Sequence, residues 1–279
     1  MTRREAIELA AQVAVAAVAE QAAVAQQPNA ITLNWLEAAP AVATGVSWGV
    51  PFARGTVSKA QTFALTARGA ALPLQRWPLA YWPDGSIKFI GFATAAPANT
   101  TADFRLAPGV PSANTPALKV QQTATAINID TGVLQCGIPK QGSNLIGSLT
   151  MDGREVARHG RLVCTLDDGK SFLGETKTVT VEQSGPVRCT IGIDFKAVDG
   201  PREWLPFTVR LYFYAGQEKV RLIHSIVFDG DQEKDFIKDL GIEFSVPMRE
   251  QAHNGSTIHR RWRGNVGGTP AAADGPETR

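Results

Sequence analysis

The stretch Tyr81-Trp-Pro-Asp-Gly-Ser-Ile-Lys-Phe89 places a tight-turn signal between two aromatic, strand-like runs. Pro83 fixes φ, Asp84 can hydrogen-bond to the backbone that follows it, and Gly85 accepts a positive φ. Together these residues predict a β-hairpin. Turns of this composition are common in proteins, so the hairpin alone predicts no function.

The rest of the chain has the same character. Turn residues recur between runs rich in Val, Ile, Thr, Phe and Tyr, and no long stretch has the 3.6-residue period of a helix, which predicts an all-β protein. Phe207–Tyr214 and Lys219–Phe228 alternate polar and apolar residues around Ala215–Glu218, which predicts a long antiparallel hairpin of a sandwich with one solvated face. The predicted strands are Ile31–Leu36, Gln61–Thr66, Leu79–Trp82, Ser86–Thr94, Ala126–Ile129, Val133–Gly137, Leu145–Met151, Arg161–Leu166, Lys177–Glu182, Val187–Phe195, Leu205–Tyr214, Lys219–Phe228 and Asp239–Val246.

A change of composition divides the chain into two β-domains. Residues 97–117 are rich in Pro, Ala, Asn, Thr and Gly and are predicted to be a linker or edge loop. The first domain is then predicted at residues 30–96 and the second at 118–258. Residues 259–279 have many breakers and no apolar periodicity, so a disordered tail is predicted there.

The net charge indicates which partners are favoured, and the N-terminal residues indicate where the protein is located. The chain has 28 basic and 26 acidic residues, and its net charge of +2 favours neither nucleic acid nor an anionic membrane surface. Arg3 and Arg4 precede the apolar run Leu9–Ala19, which is too short to span a bilayer. A twin-arginine export signal is predicted at residues 1–25, and with it a periplasmic or secreted location, the alternative being an exposed amphipathic helix.

No cofactor and no metal site are predicted. The odd number of cysteines, their wide spacing and their apolar or small neighbours predict buried strand thiols, the alternative being one disulfide with a leftover thiol in an oxidising compartment. Their spacing matches no zinc or redox motif. The paired carboxylates Asp167-Asp168, Asp229 and Asp231 flank glycines and lack the ligand spacing of a calcium loop, so solvated turns are predicted. The cysteines are Cys136, Cys164 and Cys189.

Two sets of motifs resemble a known family. The order and spacing of the first set resemble the N-terminal barrel of the exo-acting rhamnogalacturonan lyase (RGLX/YetA-like) family, and a second block, Phe228–Pro247, resembles its central β-sandwich. The resemblance spans roughly Ile31–Ile258 and implies a small N-terminal β-barrel followed by a large antiparallel β-sandwich. The first set comprises Gly45–Phe52, Arg54-Gly55, Leu65–Gly69, Leu72–Gln75 and Tyr81–Phe89.

The resemblance also implies a function. Proteins of this family are exported polysaccharide-degrading enzymes or their relatives, in which a large α/α toroid follows the sandwich. No stretch of this sequence is typical of that toroid, and a frameshift or premature stop after the sandwich would explain such an ending. We therefore expect non-catalytic N-terminal domains that support or bind acidic glycan, with the catalytic domain normally in the same chain and no catalytic residue identified here. Two alternatives stay open: a structural or interaction module without carbohydrate binding, and a small self-contained lyase.

Candidate glycan-binding residues are aromatic or cationic. Aromatic faces suit the apolar faces of sugar rings, and cations suit uronate carboxylates. Each tryptophan also has a simpler interpretation as barrel core, and the two histidines have one as part of a basic, solvated tail. His224 shares the parity of Leu222 and Ile226, which favours a packed histidine whose hydrogen bonds are satisfied. The candidates are Trp48, Arg54, Arg76, Trp77, Trp82, His253 and His259.

Overall fold

The computed structural model describes residues 29–101, 104–112 and 118–247. Within these ranges the chain forms seventeen β-strands and no helix, so the all-β prediction is correct. No helix of the described residues is long and apolar enough to cross a bilayer. The predicted export signal and the predicted disordered tail lie outside the described residues, and both stay predictions.

The first domain consists of two facing sheets around one core. One sheet has the strand order β1-β7-β3-β4 and the other β2-β6-β5, with antiparallel pairing throughout. Phe63, Phe92 and Leu106 fill the space between the two sheets and are almost fully buried. The strands are β1 Ile31–Leu33, β2 Thr44–Pro51, β3 Phe63–Ala67, β4 Ala70–Leu72, β5 Gln75–Tyr81, β6 Ile87–Ala96 and β7 Phe104–Pro108.

The hairpin predicted at Tyr81–Phe89 is confirmed as the connection between β5 and β6. The Trp82 amide donates to the Ser86 carbonyl at 2.8 Å, and Gly85 has a φ of 83°. The Ser86 amide and hydroxyl both donate to Asp84 Oδ1, at 3.0 and 2.6 Å. The carboxylate therefore closes the turn from inside, as the residue type predicts.

The predicted linker is wrong in part, because residues 104–108 form strand β7. This strand pairs with both β1 and β3 and sits at the centre of its sheet. Its Phe104 and Leu106 are buried, while Arg105 points to solvent. Two inward apolar residues among prolines and alanines give too short an alternation to predict a strand, so β7 was not predicted from composition.

The second domain is one continuous antiparallel sheet that divides into two layers at β12. Strand β11 pairs with the first part of β12 and β13 pairs with its last part, both along the same edge. Strand β17 pairs along the opposite edge of β12. Strands β8–β11 thereby form one layer and β13–β16 the other. The bounds are β8 Lys119–Gln122, β9 Ala126–Asp130, β10 Leu134–Pro139, β11 Asn144–Met151, β12 Arg154–Leu166, β13 Ser171–Ser184, β14 Arg188–Asp199, β15 Arg202–Tyr214, β16 Arg221–Ile226 and β17 Ile237–Ser245.

The two layers share one hydrophobic core, as expected of a sandwich. Ile129 and Ile138 come from the first layer, and Phe195 and Leu211 from the second. All three cysteines are buried and free, so the prediction of buried strand thiols is confirmed. Burial raises the pKa of the Cys136 and Cys189 thiols to about 12, because the core disfavours a thiolate.

The barrel and the sandwich meet through a buried polar and aromatic junction. Gln75 of β5 accepts hydrogen bonds from the amides of Val187 and Arg188 through its Oε1, at 3.0 and 2.8 Å. Ala93 of β6 packs there against Val187 and Tyr214. Because buried amides need partners, this single side chain ties the two domains together.

The block Phe228–Pro247 begins with a turn that supports a strained residue of the sandwich. Leu205 is fully buried and has a φ of 51°, which is unfavourable for a residue of this type. Asp229 Oδ1 accepts the Leu205 amide at 2.6 Å, and Asp235 binds Arg202 Nη2 at 2.6 Å. At Gly230 a β-carbon would overlap the Trp204 ring, so the glycine is needed there. Asp229 and Asp235 of this block thus have structural partners.

Candidate functional site

The end of the β5–β6 hairpin carries two aromatic residues that are consecutive in sequence, each with a lysine ammonium over the face of its ring. Lys88 Nζ lies 4.6 Å from the centroid of the Trp82 ring, and Lys59 Nζ lies 4.9 Å from that of Tyr81. Trp82 is half-buried, and its Nε1 donates to the Phe52 carbonyl at 3.0 Å. Tyr81 is exposed over 47% of its surface. We call Lys59, Tyr81, Trp82 and Lys88 the lysine–aromatic site.

Arg54, a predicted site residue, lies on the turn beside this site. Its Nε donates to Asp84 Oδ2 at 3.0 Å, and both side chains face solvent. Hydrogen bonds from Ser86, with a smaller contribution from Arg54, hold the pKa of Asp84 below its ordinary value of 3.8. Asp84 is therefore ionised near neutral pH and offsets the charge of Arg54.

Positive charge remains in excess around the two rings. Arg76 Nη2 donates to the Lys59 carbonyl at 2.7 Å, which holds the arginine near the lysine–aromatic site. Among the described residues, no carboxylate forms an ion pair with Lys59, Arg76 or Lys88. Lys59, Arg76 and Lys88 are therefore cations without an internal counter-ion in the described part of the chain.

The predicted tryptophans do not share one surface. Strands β2 and β5 flank β6, so Trp48, Phe92 and Arg76 form one row across the sheet, and Gly91 and Trp77 lie in the next row. Successive residues of a strand point to opposite faces. Trp48 stacks on the core residue Phe92, with centroids 5.8 Å apart, and so belongs to the barrel side.

Trp77 lies at the domain junction. Its ring covers Gly91, where a β-carbon would overlap it. The Arg188 guanidinium of the sandwich lies 4.2 Å from the Trp77 centroid and 5.5 Å from that of Tyr212. The guanidinium also donates to Gln183 Oε1. These contacts explain Trp77 as part of the domain contact, so we leave it and Trp48 out of the proposed site.

His224 does not belong to this site. His224 faces the packed side of β16, as predicted, and its ring meets Phe207 edge to face at 5.1 Å. Its Nε2 has no hydrogen-bond partner, so the prediction of satisfied hydrogen bonds is wrong. His253 and His259 lie outside the described residues, and their predicted role stays untested.

Three residues of the site were missed as binding candidates. Tyr81 and Lys88 belong to the quoted hairpin, and an aromatic followed at hairpin spacing by a lysine was a signal available in the sequence. Lys59 precedes β3 and reaches Tyr81 only because the barrel folds that loop against the end of β5. The residues around Lys59 in the sequence do not predict its contact with Tyr81.

The carboxylates for which solvated turns were predicted lie at the surface. Asp167, Asp168, Asp229 and Asp231 are exposed, and Asp168 Oδ1 accepts the Lys170 amide at 3.0 Å. Across residues 29–101, 104–112 and 118–247, no three His, Cys, Asp or Glu side chains lie together in a way that could hold a metal ion.

The fold defines a two-domain all-β protein in which a small barrel is joined to a large sandwich. Residues 29–109 match the family model of the PcRGLX-like N-terminal RIFT barrel domain, and residues 118–271 match that of the PcRGLX-like protein central beta sandwich domain. The chain therefore belongs to the PcRGLX-like family and represents rhamnogalacturonan lyase-like N-terminal domains.

One curated relative is the uncharacterized protein YetA of Bacillus subtilis (strain 168). It is 34% identical to this chain over 249 residues, which is 84% of this chain and 29% of YetA. This chain thus spans less than a third of the relative it matches. The barrel match ends at residue 109, after β7, which agrees with the assignment of that strand to the first domain.

Chemically, the lysine–aromatic site has the features of a recognition site. Ammonium and guanidinium groups bind carboxylates, and the aromatic faces offer an apolar surface to a sugar ring. The arrangement suits binding of an anionic, ring-shaped ligand.

Proposed function

We propose that this chain forms the non-catalytic N-terminal β-domains of an exported polysaccharide-processing protein and binds acidic glycan. The observation that carries this proposal is the lysine–aromatic site, where Lys59 and Lys88 lie over Tyr81 and Trp82. A uronate carboxylate can draw the ammonium groups toward itself and leave the ring faces to the sugar. Membership of a rhamnogalacturonan lyase-like family supports an acidic glycan as the ligand class.

The proposal is tested by titrating the protein with trigalacturonic acid and following tryptophan fluorescence. We expect a change in fluorescence that is lost in Trp82→Phe, while Trp35→Phe retains it. Trp35 is a matched control, because it is also half-buried and hydrogen-bonded, with its Nε1 donating to the Thr100 carbonyl at 2.8 Å. The apparent Kd should rise with added salt, because exposed charges are screened.

Removal of the two ammonium groups tests the cations separately. We expect the Lys59→Ala/Lys88→Ala double variant to bind trigalacturonic acid at least about tenfold more weakly, since a hydrogen bond to a charged group contributes about 1.5–3 kcal/mol. Lys238→Ala on β17, an exposed lysine without an ion pair among the described residues, should bind like the wild type. Equal affinity of the double variant and the wild type would refute the proposal.

A second candidate function is a structural module that binds no carbohydrate. It is favoured by the contacts of the five described tryptophans, each of which has a structural role. Trp35 and Trp82 donate to backbone carbonyls, Trp48 stacks on Phe92, and Trp77 and Trp204 pack against arginines. An unresponsive wild-type protein at millimolar trigalacturonic acid would support this candidate. A self-contained lyase that uses His253 and His259 would instead lose uronate elimination when either histidine is replaced.

A further inference from the structure

The outer face of strands β8–β11 carries a row of uncharged polar side chains. Inward positions of these strands are apolar, for example Ile127, Ile129 and Ile138, which are fully or almost fully buried. The outward positions alternate with them because successive residues of a strand face opposite sides. The outward residues are Gln121, Asn128, Gln135, Gly137, Ser148 and Thr150.

These residues line a groove of about 350 Å³. Gln121, Asn128, Gly137 and Ser148 are paired in register across four strands, so they form one continuous row. With neighbouring strands about 4.8 Å apart, this row extends over about 14 Å. The volume is at the lower end of the range of about 300–1,000 Å³ found for small-molecule sites.

Gly137 opens the middle of the groove. A β-carbon at this position would lie 3.2 Å from Ser148 Oγ and 3.6 Å from Asn128 Oδ1, so a side chain would occupy the space between the two polar groups. Glycine weakens a strand interior, and in such a place it often marks the close approach of a ligand. The sandwich core gains nothing from this glycine, because it faces outward.

The polar side chains in the groove have no partners within the described structure. No hydrogen bond joins the side chains of Gln121, Asn128, Gln135, Ser148 or Thr150 to any described residue. Each amide offers both donors and an acceptor, and each hydroxyl offers both as well. A ligand whose own groups also both donate and accept would match them.

Two charged residues, Lys119 and Asp130, line the β8–β9 side of the groove and are paired with each other. Lys119 Nζ lies 3.9 Å from Asp130 Oδ2, and on β12 Arg158 Nη1 lies 3.8 Å from Glu155 Oε1. The row formed by Gln121, Asn128, Gly137 and Ser148 is itself uncharged. An anionic ligand would gain little here, in contrast to the lysine–aromatic site on the barrel.

We propose that this groove is a binding site for a short neutral oligosaccharide. Sugar hydroxyls both donate and accept hydrogen bonds, so vicinal hydroxyls can pair with the amides of Asn128 and Gln135 while the ring lies over Gly137. The groove is on the sandwich and its ligand is neutral, so the proposal is independent of acidic-glycan binding at the barrel.

The test is isothermal titration of the whole chain with neutral tetrasaccharides of glucose, galactose, mannose and xylose. At least one should bind, with a Kd that does not change with added salt, because no charge is involved. Gly137→Val and the Asn128→Ala/Gln135→Ala double variant should each weaken that binding by about tenfold or more. Thr180→Ala, an outward-facing change on the other layer, should leave it unchanged.

Three results would overturn the proposal: no tetrasaccharide binds the wild type, Gly137→Val binds as tightly as the wild type, or Thr180→Ala loses binding equally. If Gly137→Val does not fold, the double variant carries the test, because it only truncates exposed side chains. The Lys59→Ala/Lys88→Ala variant should bind the neutral sugar normally, which separates this proposal from the first.

Discussion

His224 illustrates how one buried group makes stability depend on pH. It lies on the packed side of β16, the strand at the end of the large sheet, where its ring contacts Phe207. Burial lowers its pKa below the ordinary value of 6.5, because the charged imidazolium loses hydration. The folded protein therefore holds this histidine neutral at pH values where an unfolded chain begins to protonate it.

We expect the free energy of unfolding to decrease as pH falls below about 6.5, down to the lower pKa of His224 in the folded state. In this window the unfolded state binds more protons than the folded state, so acid favours unfolding. Urea denaturation at a series of pH values measures the slope. His224→Phe should remove it, while Leu222→Ala should lower stability at all pH values and keep the slope. An unchanged slope in His224→Phe would contradict this prediction.

At the scale of elements, the β5–β6 hairpin shows which local features fix a turn. Asp84 closes the loop through Ser86, and Gly85 takes the left-handed conformation that other residues avoid. No atom lies near the position of a β-carbon at Gly85, so a substitution there would add backbone strain without a clash.

Gly85→Ala should therefore destabilise the protein by about 1–2 kcal/mol, the cost of placing an L-residue in the left-handed region. Gly241→Ala is the matched control, since Gly241 also has open space around it but lies in β17 without a positive φ. The control should be neutral or slightly stabilising in chemical denaturation. Equal effects of the two alanines would show that the strain is absent.

At the scale of the whole molecule, the junction between barrel and sandwich controls whether the domains act as one body. Gln75 accepts two buried backbone amides, and the Tyr214 ring fits against Gly45, where a β-carbon would overlap it. Trp77 and Arg188 complete the contact from either side. The lysine–aromatic site on the barrel and the groove on the sandwich are thus held in fixed relation.

Gln75→Ala should uncouple the two domains, because it leaves two buried amides unpaired at a cost of about 1–3 kcal/mol each. In scanning calorimetry we expect one transition for the wild type and two for the variant. Gln75→Glu keeps an acceptor oxygen at the same place and should retain the single transition. A variant that unfolds once, at the wild-type temperature, would rule out this role for Gln75.

Some strands could be predicted from the sequence and others could not. The hairpin Phe207–Phe228 could be predicted because its alternation is strict, and it appears as β15 and β16. Strand β2 was missed because Gly45, Gly49 and Pro51 have low strand propensity. Its glycines make sense only in three dimensions, since Tyr214 and Phe89 lie over them.

The candidate site was predicted only partly for a similar reason. Trp82 lies at the end of the hairpin because it belongs to the turn itself, whereas the contact of Arg54 with the turn residue Asp84 was not predicted. Trp48 and Trp77 were grouped with them by residue type, yet they point to opposite faces of one sheet. One face of this sheet packs on the barrel core and the other contacts the sandwich, so an aromatic residue can be buried on either face. Residue type alone therefore does not predict which face a tryptophan occupies.

The sequence by itself determined the all-β class, the turn of the Tyr81–Phe89 hairpin, the buried thiols and the family, because each depends on local residue patterns or on their order along the chain. Only the tertiary structure decided that β7 belongs to the barrel, that Lys59 meets Tyr81, and that Gly137 opens a neutral groove on the sandwich. These features arise from contacts between residues distant in sequence, and such contacts depend on how the strands pair and how the sheets pack.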